Sequence, residues 1–194
     1  MPRIVALSGS LSQPSRTRAL AALIAERAAA GTSAQIDVID IADLAPHLGG
    51  AVSFSQLPPA IINAQRTLEA ADLIVLASPV YKGSYSGLFK HFIDLLDPTR
   101  LVGKVALLAA TGGSDRHALV VEHQLRPLAS FFELVTVPAG VFVKDTAFTH
   151  YQLEESTPEA RAALARLELA LAQARRLLNW PAQAPAASPI SLAA

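Results

Sequence analysis

Serine, threonine and arginine side chains crowd the first of three segments that could bind a ligand. Residues 8–17 read SGSLSQPSRT and precede a helical pattern. Hydroxyl groups, the guanidinium of Arg16 and the free N–H groups at a helix N-terminus together suit a phosphate. The segment has neither G-x-G-x-x-G nor G-x-x-x-x-G-K-S/T, so a phosphate monoester fits better than a dinucleotide or a P-loop nucleotide. The alternative is a serine-rich turn in which Ser15 is an ordinary N-cap.

A second segment, residues 78–87, reads SPVYKGSYSG and can form only a loop. Pro79 fixes its own φ angle, and the glycines allow the backbone to approach a flat ligand closely. Tyr81 and Tyr85 add flat amphipathic surfaces. This segment therefore suits a planar ligand.

The third segment, residues 111–116, reads TGGSDR. The amides of Gly112 and Gly113 could donate hydrogen bonds to the edge of a ring. A plain strand-to-helix turn capped by Ser114 or Asp115 is the alternative. We refer to the three segments as the first, second and third loops.

Short apolar runs alternate with helical patterns along the chain and position these loops. The runs predict strands at 3–7, 36–39, 73–77, 105–110 and 134–137, and the last strand either ends there or continues at 140–143. Helices are predicted at 16–30, 60–71, 88–96 and 117–132, and a final helix starts at the signals Ser156 to Glu159. Residues 40–59 are predicted to be less regular, and Pro127 to bend the fourth helix.

This alternation predicts an α/β fold with a parallel sheet. We expect a doubly wound five-stranded sheet with helices on both faces, and we take its order as 2-1-3-4-5. Strands one, three and four are then neighbours, and the switch point lies between one and three. Because ligands bind beyond the carboxyl ends of such strands, the three loops are expected to meet in one crevice.

Composition narrows the classes of function. The 194 residues include 16 basic and 16 acidic side chains, so no net charge favours nucleic acid or an anionic membrane. The absence of cysteine excludes disulfides, thiolate metal sites and thiol catalysis. No apolar run is long enough for a signal peptide or a membrane span, so we expect a cytoplasmic protein. We predict one domain at 1–180 and a disordered Pro/Ala/Ser tail at 181–194.

Three quoted stretches carry a resemblance to a known family. GS...PSRT, SPVYKGSYSGLFKHFIDLL and ATGGSDRHALVVEHQLRPL resemble the flavodoxin-like NAD(P)H-dependent FMN reductases. Within that family the chain is most similar to the reductases that serve alkanesulfonate and methanesulfonate monooxygenases. The likeness extends from Met1 to about Trp180.

The resemblance implies a set of FMN-binding residues. Hydride transfer needs no general acid or base, so we name no catalytic residue, and the spacing of the histidines predicts no metal site. The resemblance implies that the FMN phosphate is held by Ser10, Ser15, Arg16 and Thr17. It places the isoalloxazine ring beside Pro79, Val80, Tyr81 and Lys82, with Thr111, Gly112, Gly113 and, more weakly, His117 on the other side. For Lys82 a solvated loop residue is the alternative, and for His117 an exposed or capping residue.

The resemblance also implies the reaction and the partners. We expect hydride transfer from NADH or NADPH to FMN, with FMNH2 passed to a separate flavin-dependent monooxygenase. An FMN-bound reductase of quinones, azo compounds or metal oxyanions is the alternative, and a flavodoxin-like electron carrier is a third reading that the neutral charge disfavours. A homodimer or homotetramer is expected, with residues 145–155 as an arm that reaches a neighbour.

His123 leaves two readings open. In the alkanesulfonate-linked relatives a tyrosine at the matching place creates a π-bulge, whereas the methanesulfonate-linked relatives carry histidine. His123 therefore either lies in such an interruption of the i to i+4 hydrogen bonds or is an ordinary polar-face histidine.

Overall fold

A parallel sheet forms the centre of the molecule. The structure, a computed structural model, describes residues 1–153, 155 and 157–180. Its strands run in the order β2-β1-β3-β4-β5, with β6 also paired to β4. The bounds are β1 (Arg3–Ser8), β2 (Gln35–Asp40), β3 (Leu73–Pro79), β4 (Val105–Gly112), β5 (Val135–Thr136) and β6 (Val141–Lys144). The predicted order 2-1-3-4-5 is confirmed.

The two central strands, β3 and β4, are almost wholly buried. Their side chains lack polar alternation because helices cover both faces of the sheet, as the unbroken apolar runs predict. Leu73 is paired with Val105, and the register continues to Pro79 beside Thr111. The second and third loops therefore start side by side.

At the edge of the sheet, two short strands, β5 and β6, take the place of the single fifth strand that the sequence predicts. Val135 and Thr136 pair with the start of β4, whereas Val141 pairs with Ala109 near its end. The edge chain uses more residues than β4 over this distance, so it loops out between β5 and β6. Pro138, which has no N–H to donate, lies in this interruption.

Six α-helices flank the sheet within the described residues. They are α1 (Arg16–Ala29), α2 (Ile41–Leu48), α3 (Pro59–Glu69), α4 (Gly87–Asp94), α5 (Arg126–Phe131) and α6 (Pro158–Leu177). Leucines and alanines of α1 and α6 pack on one face, and the apolar side chains of α2 to α5 pack on the other. This confirms the prediction of helices on both faces.

Helix α2 is absent from the sequence prediction, which treats residues 40–59 as irregular. Its N-cap is Asp40, and Pro46 lies inside it. Ile41, Leu44 and Leu48 are buried at helical spacing. Packing of these three side chains stabilises the helix despite the proline, whose missing N–H weakens the local sequence signal.

The segment predicted as one helix at 117–132 is helical over 120–131, but the helix type changes within it. The segment contains a 3₁₀ turn (Asp115–His117), a π turn (Val121–Leu125) and then α5. The Arg126 amide donates to the Val121 carbonyl, five residues back. Pro127 lies in the first turn of α5, directly after the change of helix type. His123 lies inside the π turn, and its side chain is exposed. The two alternatives given for His123, a helix interruption and a polar-face residue, therefore both hold.

A short hairpin, β7 (Phe148–Thr149) and β8 (Gln152–Leu153), precedes α6. Its two tip residues, His150 and Tyr151, have φ angles of 48° and 66°. Strand β8 lies beside α1 of the same chain, in the region predicted to be an arm. In the described part of the chain, no helix is both long and apolar enough to cross a membrane. The tail at 181–194 and the start signal at Ser156 lie outside the described residues.

Candidate active site

The first and second loops are joined by hydrogen bonds at the carboxyl ends of β1 and β3. The Gly9 amide donates to the Ala77 carbonyl at 2.7 Å. In return, the buried hydroxyl of Ser86 donates to the Gly9 carbonyl at 2.6 Å. Gly9 is required there, because a Cβ atom would lie 2.9 Å from the ring of Phe89. These bonds fix the spacing of the two loops.

The third loop is joined to both of the others through Thr111. Its hydroxyl lies 2.7 Å from that of Thr17, and both side chains are buried. The Val80 amide donates to the Thr111 carbonyl at 2.8 Å. The structure therefore brings all three loops to one edge of the sheet, as their positions after strands one, three and four predict.

Serine side chains shape the first loop from within. The buried Ser10 Oγ accepts a hydrogen bond from the Ser12 amide at 3.2 Å. Ser15 caps α1, and its hydroxyl accepts from the Arg18 amide at 3.1 Å, as its alternative reading expects. Helix α1 begins with Arg16 and its positive end faces this loop. Hydroxyls, free amides and a cation are therefore concentrated at one place.

Arg16 has an aromatic partner that the sequence does not reveal. Its guanidinium carbon lies 5.4 Å from the centre of the Tyr151 ring. Both side chains are exposed, and Tyr151 is at the tip of the β7–β8 hairpin. The contact holds a long, flexible cationic side chain beside the first loop.

Residues 81–84 of the second loop form a tight turn. The Tyr81 amide donates to the Ser84 carbonyl at 2.8 Å, and the Ser84 amide donates back at 3.2 Å. Lys82 and Gly83 have φ angles of 52° and 88°. Positive φ at both central residues is the pattern of a type I′ turn, which favours glycine at the second position. Tyr81 and Lys82 are exposed on this turn.

The third loop is crowded at Gly112 and open at Gly113. A Cβ on Gly112 would lie 3.3 Å from the ring of Phe142 and 3.4 Å from the Cβ of His117. A Cβ on Gly113 would meet only Asp145, at 3.9 Å. His117 is half-buried next to the loop. The Gly113 backbone is therefore accessible to a ligand.

Asp40 is a buried carboxylate at the same edge that sequence reasoning missed. Burial raises its pKa above the ordinary range, and hydrogen bonds from the Ala42 amide and the Ser8 hydroxyl oppose this rise. Its Oδ2 lies 3.4 Å from Nε of Arg18. Asp40 ends β2, so the rule that selected the three loops would also have selected it.

Two cavities differ in position and character. An apolar groove of about 910 Å³ lies between α3, α4 and α5, away from the three loops. A cleft of about 470 Å³ adjoins the first loop and is lined by Ser15, Arg18, Asp43 and the hairpin tip. Among the described residues, no group of three or more His, Asp or Glu side chains could hold a metal ion.

The doubly wound sheet, with three loops joined at its switch point, defines a flavodoxin-like α/β protein. The chain belongs to the NADPH-dependent FMN reductase family, whose family model matches residues 2–149. Membership confirms the predicted family. It also confirms the enzyme class, an oxidoreductase that acts with FMN and a nicotinamide nucleotide.

Characterised relatives support the assignment. An NADH-dependent FMN reductase, SfnF, from Pseudomonas fluorescens is 45% identical over 84% of this chain and 87% of its own length. An FMN reductase (NADPH) from Pseudomonas aeruginosa is 46% identical over 84% and 88% of the two chains. The two names differ in the nicotinamide nucleotide.

Solved structures agree with the fold. An oxidoreductase from Corynebacterium diphtheriae has a TM-score of 0.83 and 35% identity, covering 92% of this chain and 97% of that one. The apo form of an NADH:FMN oxidoreductase, EmoB, has a TM-score of 0.78 and 31% identity, covering 94% and 92%.

Proposed function

We propose that this enzyme reduces FMN with NADH or NADPH at the three joined loops and passes FMNH2 to a separate flavin-dependent monooxygenase. The observation that carries the assignment to this site is the hydrogen-bonded junction of the loops through Gly9, Thr17 and Thr111. The recipient is inferred from the resemblance to reductases that serve alkanesulfonate and methanesulfonate monooxygenases.

The first loop fits a phosphate monoester by its donors. A dianion there would meet the free N–H groups and positive end of α1, a helix of 14 residues. We assign phosphate binding to the segment that contains Ser10, Ser15, Arg16 and Thr17. Ser15 acts chiefly by capping the helix, and Thr17 by joining the third loop. Arg16 is the cation held ready for the phosphate.

The second and third loops fit the flavin ring. We assign ring contacts to Pro79, Val80, Tyr81 and Lys82 on one side and to Thr111, Gly112, Gly113 and His117 on the other. Accessible backbone at Gly113 and the exposed residues 81–83 of the turn leave room for a planar group. Bound FMN supplies the hydride acceptor, and the protein supplies orientation and backbone dipoles. No side chain is required as a general acid or base.

The test is oxidation of NADH and of NADPH by purified protein, with and without added FMN. We expect saturable dependence on FMN with both enzyme and nucleotide present. Turnover only when a quinone or azo compound is added would favour the FMN-bound reductase instead. No oxidation of either nucleotide under any of these conditions would contradict the assignment.

The recipient needs its own test. FMNH2 production by this enzyme should support turnover of a two-component alkanesulfonate or methanesulfonate monooxygenase when the two are mixed. Supplying FMNH2 photochemically is the control, because it shows that the monooxygenase is active without the reductase. Failure of the coupled reaction with an active reductase and an active monooxygenase would exclude the proposed transfer.

We also propose a cytoplasmic, single-domain protein (1–180) that forms a homodimer or homotetramer through the apolar groove. The side chains of Phe54 and Phe131 there are 72% and 71% exposed. Lys90 and Asp94 on its rim pair with each other within α4, so they leave no net charge that would repel a second copy. Phe131→Glu should lower the mass measured by sedimentation. Leu169→Glu, on α6 away from the groove, should not.

A further inference from the structure

A hydrogen bond connects the 81–84 turn to the π turn. The hydroxyl of Ser84 donates to Oε1 of Gln124 at 3.0 Å, and both residues are partly buried. The two residues are 40 positions apart. The 81–84 turn carries Tyr81 and Lys82, so this bond reaches the part of the second loop assigned to the flavin ring.

The π turn itself is anchored on its opposite side. Arg126 donates from Nε and Nη2 to the two carboxylate oxygens of Glu122, at 2.5 and 3.0 Å. The same guanidinium donates to the carbonyls of Val137 and Pro138 at 3.1 and 3.2 Å. The turn is therefore tied to the segment between β5 and β6.

Packing reinforces this anchor. A Cβ on Gly140 would lie only 2.4 Å from Cγ1 of Val121 and 3.1 Å from Oε1 of Glu122. The start of the π turn thus sits directly on the Gly140 backbone. Arg166 fixes that backbone from the far side, since its Nε donates to the Gly140 carbonyl at 2.9 Å.

The helix type decides where Gln124 points. A π turn closes its hydrogen bonds over five residues instead of four, so it rotates side chains away from the directions that an α-helix would give them. With Val121 and Glu122 held on Gly140, the π register places the Gln124 amide at Ser84.

We propose that Gln124 is a positioning residue for flavin binding. It holds the 81–84 turn in the conformation that presents Tyr81 and Lys82 to the ring, and the π turn fixes Gln124 for this task. The inference rests on the proposed function, because the ring contacts belong to that proposal. It adds a structural role for the π turn within a single subunit.

The test measures the dissociation constant of FMN by the quenching of its fluorescence in four variants. Gln124→Leu removes the acceptor, and we expect FMN binding to weaken by about three- to ten-fold, the range of one lost neutral hydrogen bond. Gln124→Glu keeps an acceptor for the Ser84 hydroxyl and should bind within about two-fold of the wild type. Ser84→Ala should weaken binding as Gln124→Leu does. The double variant should lose no more than either single one.

Gln65→Leu is the matched control. Gln65 is also a helical glutamine with a long-range hydrogen bond, from Nε2 to the Leu95 carbonyl at 2.7 Å. It lies at the apolar groove, away from the loops, so sedimentation must first show that the variant keeps the mass of the wild-type oligomer. Its replacement should lower stability without changing the FMN dissociation constant.

Three results would overturn the inference: unchanged FMN binding in folded Gln124→Leu, an equal loss in Gln65→Leu, or additive losses in the double variant. Each can occur while the wild-type enzyme still oxidises NAD(P)H with FMN. Conversely, failure of the proposed function would show as a wild-type protein whose FMN binding depends on Gln124 but which oxidises no nucleotide. The two failures are therefore distinguishable.

Discussion

The hydroxyls of Thr17 and Thr111 lie 2.7 Å apart in the interior, although 94 positions separate the two residues. One belongs to the first turn of α1 and the other to the end of β4. The bond joins the first and third loops across the sheet, and these are the loops to which we assign the phosphate and one side of the flavin ring.

Thr111→Val should destabilise the protein by about 1–3 kcal/mol, because it leaves the buried Thr17 hydroxyl without its partner. Thr17→Val should cost a similar amount for the same reason. The double variant should be more stable than the sum of the two losses predicts. Urea unfolding of the four proteins checks this, and strict additivity would show that the two hydroxyls do not interact.

Replacing Tyr151 should weaken the hold on Arg16. Tyr151→Leu removes the ring under the guanidinium, a contact of about 0.5–1 kcal/mol at exposed sites. We expect a KM for FMN raised about two- to five-fold, with kcat unchanged. Tyr151→Phe keeps the ring and should resemble the wild type. Riboflavin, which lacks the phosphate, shows whether the rise in KM comes from weaker phosphate binding or from another cause. An equal rise in its KM would contradict a role through phosphate binding.

Gly140→Ala should disturb the π turn. Its Cβ would need to displace Val121, so we expect a loss of about 1–3 kcal/mol in the free energy of unfolding. Gly49→Ala is the matched control, since a Cβ there meets nothing within 4 Å and its φ angle is −60°. That variant should be unchanged or slightly more stable. Equal losses in the two variants would mean that the Val121 contact is unimportant.

Asp40 predicts a pH-dependent difference in stability. Its raised pKa means that the folded state binds the proton more tightly than the unfolded state does. Its contribution therefore becomes less favourable as the pH rises from the unfolded pKa, near 4, through the folded one. Asp40→Asn keeps an N-cap side chain for α2 and removes this titration.

The variant should gain stability relative to the wild type as the pH rises from about 4 to 7. Urea unfolding of both proteins across this range measures the difference between their free energies of unfolding. Other carboxylates titrate in both proteins, so their contributions cancel in this difference. One of these is Glu122, whose pKa is lowered by its bond with Arg126. A difference that is flat, or that falls as the pH rises, would contradict the assignment of the raised pKa to Asp40.

The pattern of apolar residues along the sequence was sufficient to predict the sheet and to predict that the three loops meet. Unbroken apolar runs at 73–77 and 105–110 identify the two buried central strands. Once strands and helices alternate, handedness and strand order leave few topologies, and the carboxyl ends of strands one, three and four must lie together. The Thr17–Thr111 bond is a consequence of that order.

Helix α2 and the edge of the sheet needed tertiary information. Pro46 and Pro138 weaken the local signals for a helix and a strand. Burial of Ile41, Leu44 and Leu48 nevertheless stabilises α2. At the edge, pairing with β4 resumes at Val141 only after the chain has looped out.

Local sequence pattern was enough to predict the parallel sheet and the loops that follow its strands, because apolar period and strand alternation act over neighbouring residues. The contacts of Gln124 with Ser84, of Tyr151 with Arg16 and of Val121 with Gly140 could be read only from the folded chain. Each of these contacts joins residues distant in the chain. Their geometry depends on how whole elements pack, which no local pattern records.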